Sequence, residues 1–200
     1  MGIISTILSV LGCSTKAKKD DEKITQSIEE FNSRKIHSKL TEELIDNTSD
    51  DKLLQLVFEN LSQKSSEDSE NEFETVMSWN KSKQAIYMIW ALESEVNNGG
   101  YNQFYFNSSG QFYKYLPDAL KLVGANKFSE LTERANETFE KENPKITQHQ
   151  NGTIEGFSKS YEDNPLNKFD DEFYKFYETE NLQQLQVDFI RKHKSEFIDN

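Results

Sequence analysis

Side chains that could carry acid–base or metal chemistry are few in this chain and widely spaced. The histidines are His37, His149 and His193, and none lies three or four residues from another histidine or cysteine. Because a zinc site needs such ligands to converge, this spacing argues against a metal centre. Glu93 and Glu95 lie two residues apart on a predicted helix, so they point to different faces and do not suit shared acid–base work. We interpret one of these carboxylates as buried and hydrogen-bonded and the other as solvated.

Nucleophile and phosphate-binding motifs are also missing from the sequence. The single cysteine, Cys13, lies in an N-terminal lead that offers nothing to position a nucleophile, and one cysteine excludes an internal disulfide. No Gly-x-Ser-x-Gly elbow occurs, and no glycine-rich loop joins a strand to a helix to hold a phosphate. We therefore expect a protein that is not an enzyme and that needs no metal and no cofactor.

The segment 95–107 is unusual because it combines amides, aromatic rings and a double glycine. In a structural interpretation, Asn97 and Asn98 close a helix, and the two glycines that follow form the turn. The amides of Gln103 and Asn107 then satisfy loose backbone groups near this helix end.

A functional interpretation of the same segment makes it the wall of a binding site. Here Tyr101, Tyr105 and Phe106 form the floor of a polar pocket. A small molecule would then bind around Asn98, Gln103 and Tyr105. Spacing alone does not decide between a closed helix end and such a pocket.

Apolar side chains recur at helical spacing along most of the chain, and no segment shows the sustained alternation of a strand. The predicted helices cover residues 21–36, 40–45, 50–61, 80–97, 116–123, 126–144, 154–161, 166–176 and 182–190. The intervening segments 62–72 and 145–152 are predicted loops. We predict an all-α fold, a compact multi-helix bundle of six to nine helices. Its core is expected to be rich in rings, because the chain has 14 Phe, 8 Tyr and 2 Trp.

Charge is distributed unevenly along the chain, whose net charge is −12. Residues 41–76 carry 11 acidic and 2 basic side chains, and residues 151–200 carry 11 acidic and 6 basic ones. This balance argues against direct nucleic-acid binding, which needs a basic patch, and against an anionic membrane surface as the main partner. We divide the chain into an N-terminal lead over 1–22, acidic N-terminal helices over 23–76 and a C-terminal helical domain over 77–200.

The N-terminal lead admits three interpretations. Residues 1–12 are apolar, which fits a short amphipathic anchor or a disordered lead. A lipoprotein signal is the second interpretation, with residues 10–13 as a loose lipobox that would lipidate Cys13. Gly2 and Thr6 also fit an N-myristoylation pattern. We expect a cytoplasmic protein, with a lipid anchor through Cys13 as the alternative and any membrane contact limited to this segment.

The segment 85–107 resembles the signature of the bacterial DNA-mimic protein C-terminal domain family, formerly a domain of unknown function. It has the same order of an apolar helix, Asn-Gly-Gly, an aromatic residue, Gln, more aromatic residues and Asn. The resemblance extends over about 77–198. Its signature residues, which we interpret as mainly structural, are Glu93, Asn97, Asn98, Gly99, Gly100, Gln103 and Asn107. The resemblance implies an all-helical fold and, for the type that names the family, a surface that imitates DNA.

The resemblance and the charge together predict an acidic protein-binding module, a DNA mimic that occludes a nucleic-acid-binding protein with a basic surface. The predicted partner-binding residues are Glu42, Glu43, Asp46, Asp50, Asp51, Asp170, Asp171 and Glu172. An immunity-type inhibitor of a toxin and the small-molecule site described above are the alternatives. A homodimer is also possible on the sequence alone.

Overall fold

The structure of this protein is a computed structural model that describes residues 25, 29, 33–66, 71–149, 151 and 153–199. The predicted lead, with Cys13 and its lipobox, lies outside the described residues. The chain divides into two units, Met1–Ile36 and His37–Asn200. In the first unit, Thr25, Glu29 and Ser33 are helical, within the helix predicted over 21–36.

Nine α-helices, numbered here α1 to α9, make up the second unit, and the described part of the chain contains no strand. Their bounds are α1 Glu42–Asn47, α2 Asp50–Ser66, α3 Glu72–Ser78, α4 Lys81–Phe106, α5 Leu116–Leu122, α6 Asn126–Thr147, α7 Ile154–Lys159, α8 Asn167–Phe176 and α9 Leu182–Lys192. Short 3₁₀ helices follow α4 at Ser108–Phe112 and α9 at Lys194–Glu196. The predicted all-α bundle is confirmed.

Polar side chains fix where several of these helices begin. The side chains of Thr41, Asn80, Thr153 and Asn181 each accept a hydrogen bond from the backbone N–H three residues later. Such a cap satisfies one of the N–H groups that have no partner within the first helical turn. The caps are local in sequence, so the chain itself determines these starting points.

The core of the bundle surrounds α4, which packs against α2, α3, α5, α6 and α8. Many of its largest buried side chains are aromatic. Phe128 of α6 meets Phe173 of α8 at a ring-centroid distance of 5.1 Å, and Tyr101 of α4 lies 6.0 Å from Phe173. Both contacts have the edge-to-face geometry that aromatic pairs favour. The expected ring-rich core is confirmed.

Three helical segments differ from the sequence prediction. Helix α2 extends to Ser66 through part of the predicted loop, because the buried Ser65 hydroxyl contacts the Tyr87 hydroxyl at 3.0 Å. Helix α6 continues past Pro144 to Thr147, where Ile146 is buried and holds the last turn against the core. Helix α3 had no predicted counterpart. In each case tertiary packing stabilises turns that the local sequence favours weakly.

The acidic helix α2 packs against α9 and α4, and α1 packs against the 3₁₀ helix Lys194–Glu196. The Arg191 guanidinium at the end of α9 donates to the carbonyl oxygens of Ile45 and Thr48. Asp199 accepts from the Leu40 N–H at 3.0 Å and binds the Lys64 ammonium. These contacts place the N-terminal acidic side chains beside the basic end of α9.

Among the described helices, none combines the length and the apolar composition that crossing a bilayer requires.

Candidate functional site

The Asn-Gly-Gly segment interrupts α4 without ending it. Gly99 and Gly100 have non-helical backbone angles, and Gly100 has φ 74° and ψ −177°, a region that L side chains rarely adopt. A Cβ on Gly100 would lie 2.2 Å from the Asp170 Oδ2 atom. The predicted helix end is therefore a break, because residues 101–106, which lie outside the predicted helices, form a second helical half.

Asp170 of α8 caps this second half. Its Oδ1 atom accepts a hydrogen bond of 2.8 Å from the Tyr101 backbone N–H. The break leaves this N–H at a helix start, where a carboxylate is a favourable acceptor. Burial raises the pKa of Asp170 above its usual value, and the Tyr101 N–H acts in the opposite direction. Asp170, one of the predicted partner-binding residues, thus contacts the interior of its own chain.

Glu95 joins the two halves of α4 to the turn that follows. Its carboxylate accepts hydrogen bonds from Gln103 Nε2 at 2.7 Å, Asn107 Nδ2 at 2.8 Å and Ser109 Oγ at 3.2 Å. Our interpretation that Gln103 and Asn107 satisfy backbone groups is therefore wrong. The expectation that one member of the carboxylate pair is simply solvated also fails, because Glu95 is partly buried and held by three donors.

Glu93 is also partly buried, and its carboxylate is enclosed and hydrogen-bonded, as the sequence suggested for one member of the pair. It accepts from the Tyr177 hydroxyl at 2.6 Å and from Gln186 Nε2 at 2.9 Å, and both donors are neutral. Burial raises the pKa of Glu93, while these two hydrogen bonds lower it. The neighbouring Gln186 is fully buried, and its Oε1 atom has no hydrogen-bond partner in the described part of the chain.

The rings that were expected to floor a polar pocket belong mostly to the core. Tyr101 and Tyr105 are buried, and their hydroxyls bind Thr132 Oγ1 at 2.9 Å and Asn136 Oδ1 at 2.6 Å. The Phe106 ring packs edge-on against another aromatic ring at 5.4 Å. The functional interpretation was wrong about these rings, because their polar ends already have partners on α6.

A cavity of about 350 Å³ lies between α2, α4 and α9. Its lining residues are Asp51, Leu54, Gln55, Trp90, Glu93, Ser94, Asn97 and Gln183. The structure therefore brings together Asp51, a predicted partner-binding residue, and two signature residues, Glu93 and Asn97. Asn98 is exposed and is not among the lining residues.

The predicted acidic residues of α1 and α2 are all exposed, but several face bases of their own chain. The Lys194 ammonium lies 3.4 Å from Glu42 and 2.7 Å from Asp46, and Arg191 binds Asp50 at 2.6 Å. In the described structure, Glu43 and Asp51 form no such ion pair. Arg191 at the end of α9 and Lys194 in the following 3₁₀ helix therefore neutralise three of these five predicted carboxylates.

The acidic run on α8 is divided in a similar way. Asp170 points inward to the Tyr101 N–H, and Glu172 forms two hydrogen bonds with the Arg134 guanidinium on α6. Asp171 is exposed and has no ion pair with any described residue. One carboxylate of the three therefore remains for an external partner.

A stripe of glutamates on α6 was missed by the sequence analysis. Four exposed side chains, Glu130, Glu133, Glu137 and Glu140, recur at intervals of three and four residues and so occupy one face of the helix. At 1.5 Å per residue the stripe is about 15 Å long. The same periodicity that identifies an apolar face would have found it, but we applied that test to apolar residues alone.

No ion pair among the described residues involves this glutamate stripe, although the Glu130 charge helps to raise the pKa of Arg134 and the Glu140 charge helps to raise that of Lys114. Basic side chains at positions 127, 134 and 141 follow an adjacent edge of α6, but Arg134 turns to Glu172 and Lys127 Nζ donates to the Thr179 carbonyl. Tyr113 donates its hydroxyl to Glu140 at 3.0 Å. Glu130, Glu133 and Glu137 form no ion pair within the described chain.

Among the described residues, no group of three His, Cys, Asp or Glu side chains is arranged so that it could hold a metal ion. The Nδ1 atom of His193 lies 3.3 Å from the Oε1 atom of Glu196, and the centroid of its ring lies 4.6 Å from that of the Phe189 ring.

One family model, described as DMP19-like protein, matches residues 77–193 of the chain. The match begins near the end of α3, and it includes the complete signature segment, α6 and α8, whereas α1 and α2 precede it. No curated protein and no solved structure matches the chain.

Proposed function

Since the chain belongs to the DMP19-like protein family, the DNA-mimic family that its signature resembles, we propose that it occludes the basic, nucleic-acid-binding surface of another protein. In this proposal it acts by binding and not as an enzyme. It works in the cytoplasm, where it meets DNA-binding proteins, and a lipid anchor through Cys13 remains the alternative.

The glutamate stripe on α6 is the observation that carries this proposal. Successive glutamates lie about 4.5–6 Å apart along the helix axis, compared with about 3.4 Å per phosphate along one DNA strand. A row of carboxylates at this spacing offers a basic groove a series of charges similar to that of a phosphate backbone. Because the stripe has little internal neutralisation, its charge also accelerates the encounter with a basic partner.

Exposed carboxylates outside α6 extend this proposed surface. Asp171 on α8 is the sequence neighbour of Glu172, which Arg134 joins to α6. Glu43 and Asp51 form a second unpaired set on α1 and α2. We rank these three above the other predicted partner-binding residues, which form ion pairs or, for Asp170, a hydrogen bond with the Tyr101 backbone N–H.

The test is capture of a basic DNA-binding protein from native bacterial lysate, followed by displacement of DNA from the captured protein. The immobilised chain is washed at low and at high salt, since binding through many charges weakens steeply with salt. We expect the captured protein to release its DNA when the free chain is added. We expect the triple variant Glu130→Gln, Glu133→Gln, Glu137→Gln to displace DNA at least about tenfold less effectively, equivalent to about 1.4 kcal/mol.

A matched triple variant controls for net charge. Glu155→Gln, Glu162→Gln and Glu178→Gln remove three exposed charges elsewhere on the surface, and we expect displacement close to that of the unchanged chain. Equal losses in the two triple variants would show that only net charge matters and would contradict the α6 surface. Capture that persists at high salt would contradict the electrostatic mechanism itself.

A further inference from the structure

The cavity between α2, α4 and α9 has a composition that differs from both the core and the glutamate stripe. Its volume of about 350 Å³ falls within the range of about 300–1,000 Å³ found for small-ligand pockets. Carboxylates occupy two positions in the lining, Asp51 on α2 and Glu93 on α4. No Lys, Arg or His side chain is among the lining residues.

The two carboxylates at this cavity form no ion pair within the described chain, although the adjacent Lys52 helps to lower the pKa of Asp51. The Glu93 carboxylate contacts only neutral donors, the Tyr177 hydroxyl and the Gln186 amide. Asp51, exposed on α2, forms no ion pair there. A covered carboxylate without a cation is costly, and a cation that enters beside it supplies the missing attraction. The chemistry of the lining therefore favours a positively charged ligand.

An aromatic ring and several amides complete the lining. Trp90 stacks on Phe58 with ring centroids 4.4 Å apart and an interplanar angle of 11°, which fixes the plane of the indole. Gln55 donates its amide nitrogen to Glu59 at 2.9 Å, so its carbonyl oxygen is the atom left to accept. Indole faces attract cations more strongly than other aromatic rings do, and planar guanidinium groups stack on them.

We propose that this cavity binds a guanidinium group, which places its plane on Trp90 and donates hydrogen bonds to Glu93, Asp51 and the neighbouring amide oxygens. Guanidinium fits better than an ammonium ion because it offers five donors in one plane to acceptors on three helices. The group belongs either to a free small molecule or to an arginine side chain of another protein. This site is separate from the α6 stripe and does not depend on DNA mimicry, although Asp51 belongs both to its lining and to the predicted partner-binding residues.

Tryptophan fluorescence tests the site directly. The chain has two tryptophans, Trp79 and Trp90, so the variant Trp79→Phe leaves Trp90 as the only indole. The full chain carrying Trp79→Phe is titrated with agmatine, with N-acetyl-arginine amide and with N-acetyl-citrulline amide, the neutral isostere of the second ligand. We expect a saturable change with at least one guanidinium ligand and none with the citrulline amide. Equal responses to the arginine and citrulline amides would overturn the proposal.

The variant Glu93→Gln, made in the Trp79→Phe background, keeps a side chain that can bind Tyr177 and Gln186 but removes the charge. We expect it to bind the guanidinium ligand at least about tenfold more weakly, a loss of about 1.4 kcal/mol. Asp51→Asn, at the exposed end of the cavity, provides a second variant that does not alter the interior. Unchanged affinity in both variants would overturn the site, whatever their stability.

Two further measurements complete the test. The first identifies the source of the guanidinium group, and the second distinguishes this site from the proposed DNA-mimic surface. Tighter binding of agmatine than of N-acetyl-arginine amide supports a free small molecule, and the reverse order supports an arginine side chain. Glu133→Gln in the same background should leave guanidinium binding unchanged while it weakens the displacement of DNA. Failure of the cavity and failure of the α6 surface therefore give different results.

Discussion

The acidic helices α1 and α2 and the exposed face of α6 differ in what surrounds their carboxylates. Three acidic side chains of the first region, Glu42, Asp46 and Asp50, contact Lys194 or Arg191. The glutamates at 130, 133 and 137 on α6 have no ion pair in the described chain, although the sequence from 77 to 150 carries equal numbers of acidic and basic residues. The region that looks neutral in sequence therefore offers the less neutralised row.

This difference teaches that charge density along a chain does not measure charge available to a partner. An exposed ion pair contributes little to stability, yet it cancels much of the field that an approaching protein would meet. Carboxylates that bind the interior of their own chain, as Asp170 does, support the fold, whereas exposed unpaired ones remain for association. Substitutions in the two classes should consequently affect different measurements, stability for the first and binding for the second.

The largest effect on stability is expected where an inward carboxylate meets the break in α4. Gly100→Ala must accept φ 74° and place a Cβ 2.2 Å from Asp170 Oδ2, so we expect the free energy of unfolding to fall by about 2–5 kcal/mol. Chemical denaturation measures this free energy of unfolding. Gly124→Ala is the control, because its φ of 90° is also strained but its Cβ would meet only Leu185 at 3.8 Å. Equal losses in both variants would show that the Asp170 contact adds nothing.

Neighbouring carboxylates on α8 allow an intermediate test of the comparison. Asp170→Ala leaves the Tyr101 N–H without its acceptor, so we expect a loss of about 1–3 kcal/mol in the free energy of unfolding. Asp171→Ala alters an exposed side chain and should change stability by no more than about 0.5 kcal/mol. If the two variants were equally stable, the assignment of Asp170 to the fold and of Asp171 to the surface would be wrong.

The smallest effect on stability is expected on α6, and its sign is opposite. Glu133 lies three residues from Glu130 and four from Glu137, and like charges at these spacings repel. We expect Glu133→Gln to raise the free energy of unfolding by about 0.2–0.5 kcal/mol at low salt. Repeating the denaturation at high salt should remove the gain, because salt screens exposed charges. A loss of stability at low salt would mean that Glu133 supports the fold.

Much of the fold could be predicted from the sequence, because helix signals are local. Apolar spacing placed most of the helices. The caps that Thr153 and Asn181 form on α7 and α9 are also local, because each hydrogen bond joins residues three positions apart. The length of α2 was not predictable in this way, because its last turn depends on the contact between Ser65 and Tyr87. The signature resemblance identified the family, and the Asn and Gly residues predicted a helix end where the structure has a break within a longer helix. Neither indicated the role of Asp170, which is 69 residues away from its partner Tyr101.

The candidate sites were harder to predict. The sequence indicated that one carboxylate of the Glu93 and Glu95 pair is buried, but not which one, and nothing near them in the chain placed Asp51 at the same cavity. The stripe on α6 was present in the spacing of its glutamates, and a charge-periodicity test would have revealed it. Its lack of neutralisation was not visible in sequence, since Arg134 and Lys127 lie beside it and turn elsewhere only in the folded molecule.

By itself, the sequence determined the helical class, the ring-rich core, the family and the sum of the charges, because each depends on composition or on residues a few positions apart. Only the tertiary structure decided which carboxylates are paired. Arg191 reaches Asp50 across 141 residues of chain, and Arg134 reaches Glu172 across 38. Electrostatic attraction depends on distance through space, and that distance exists only once the helices have packed.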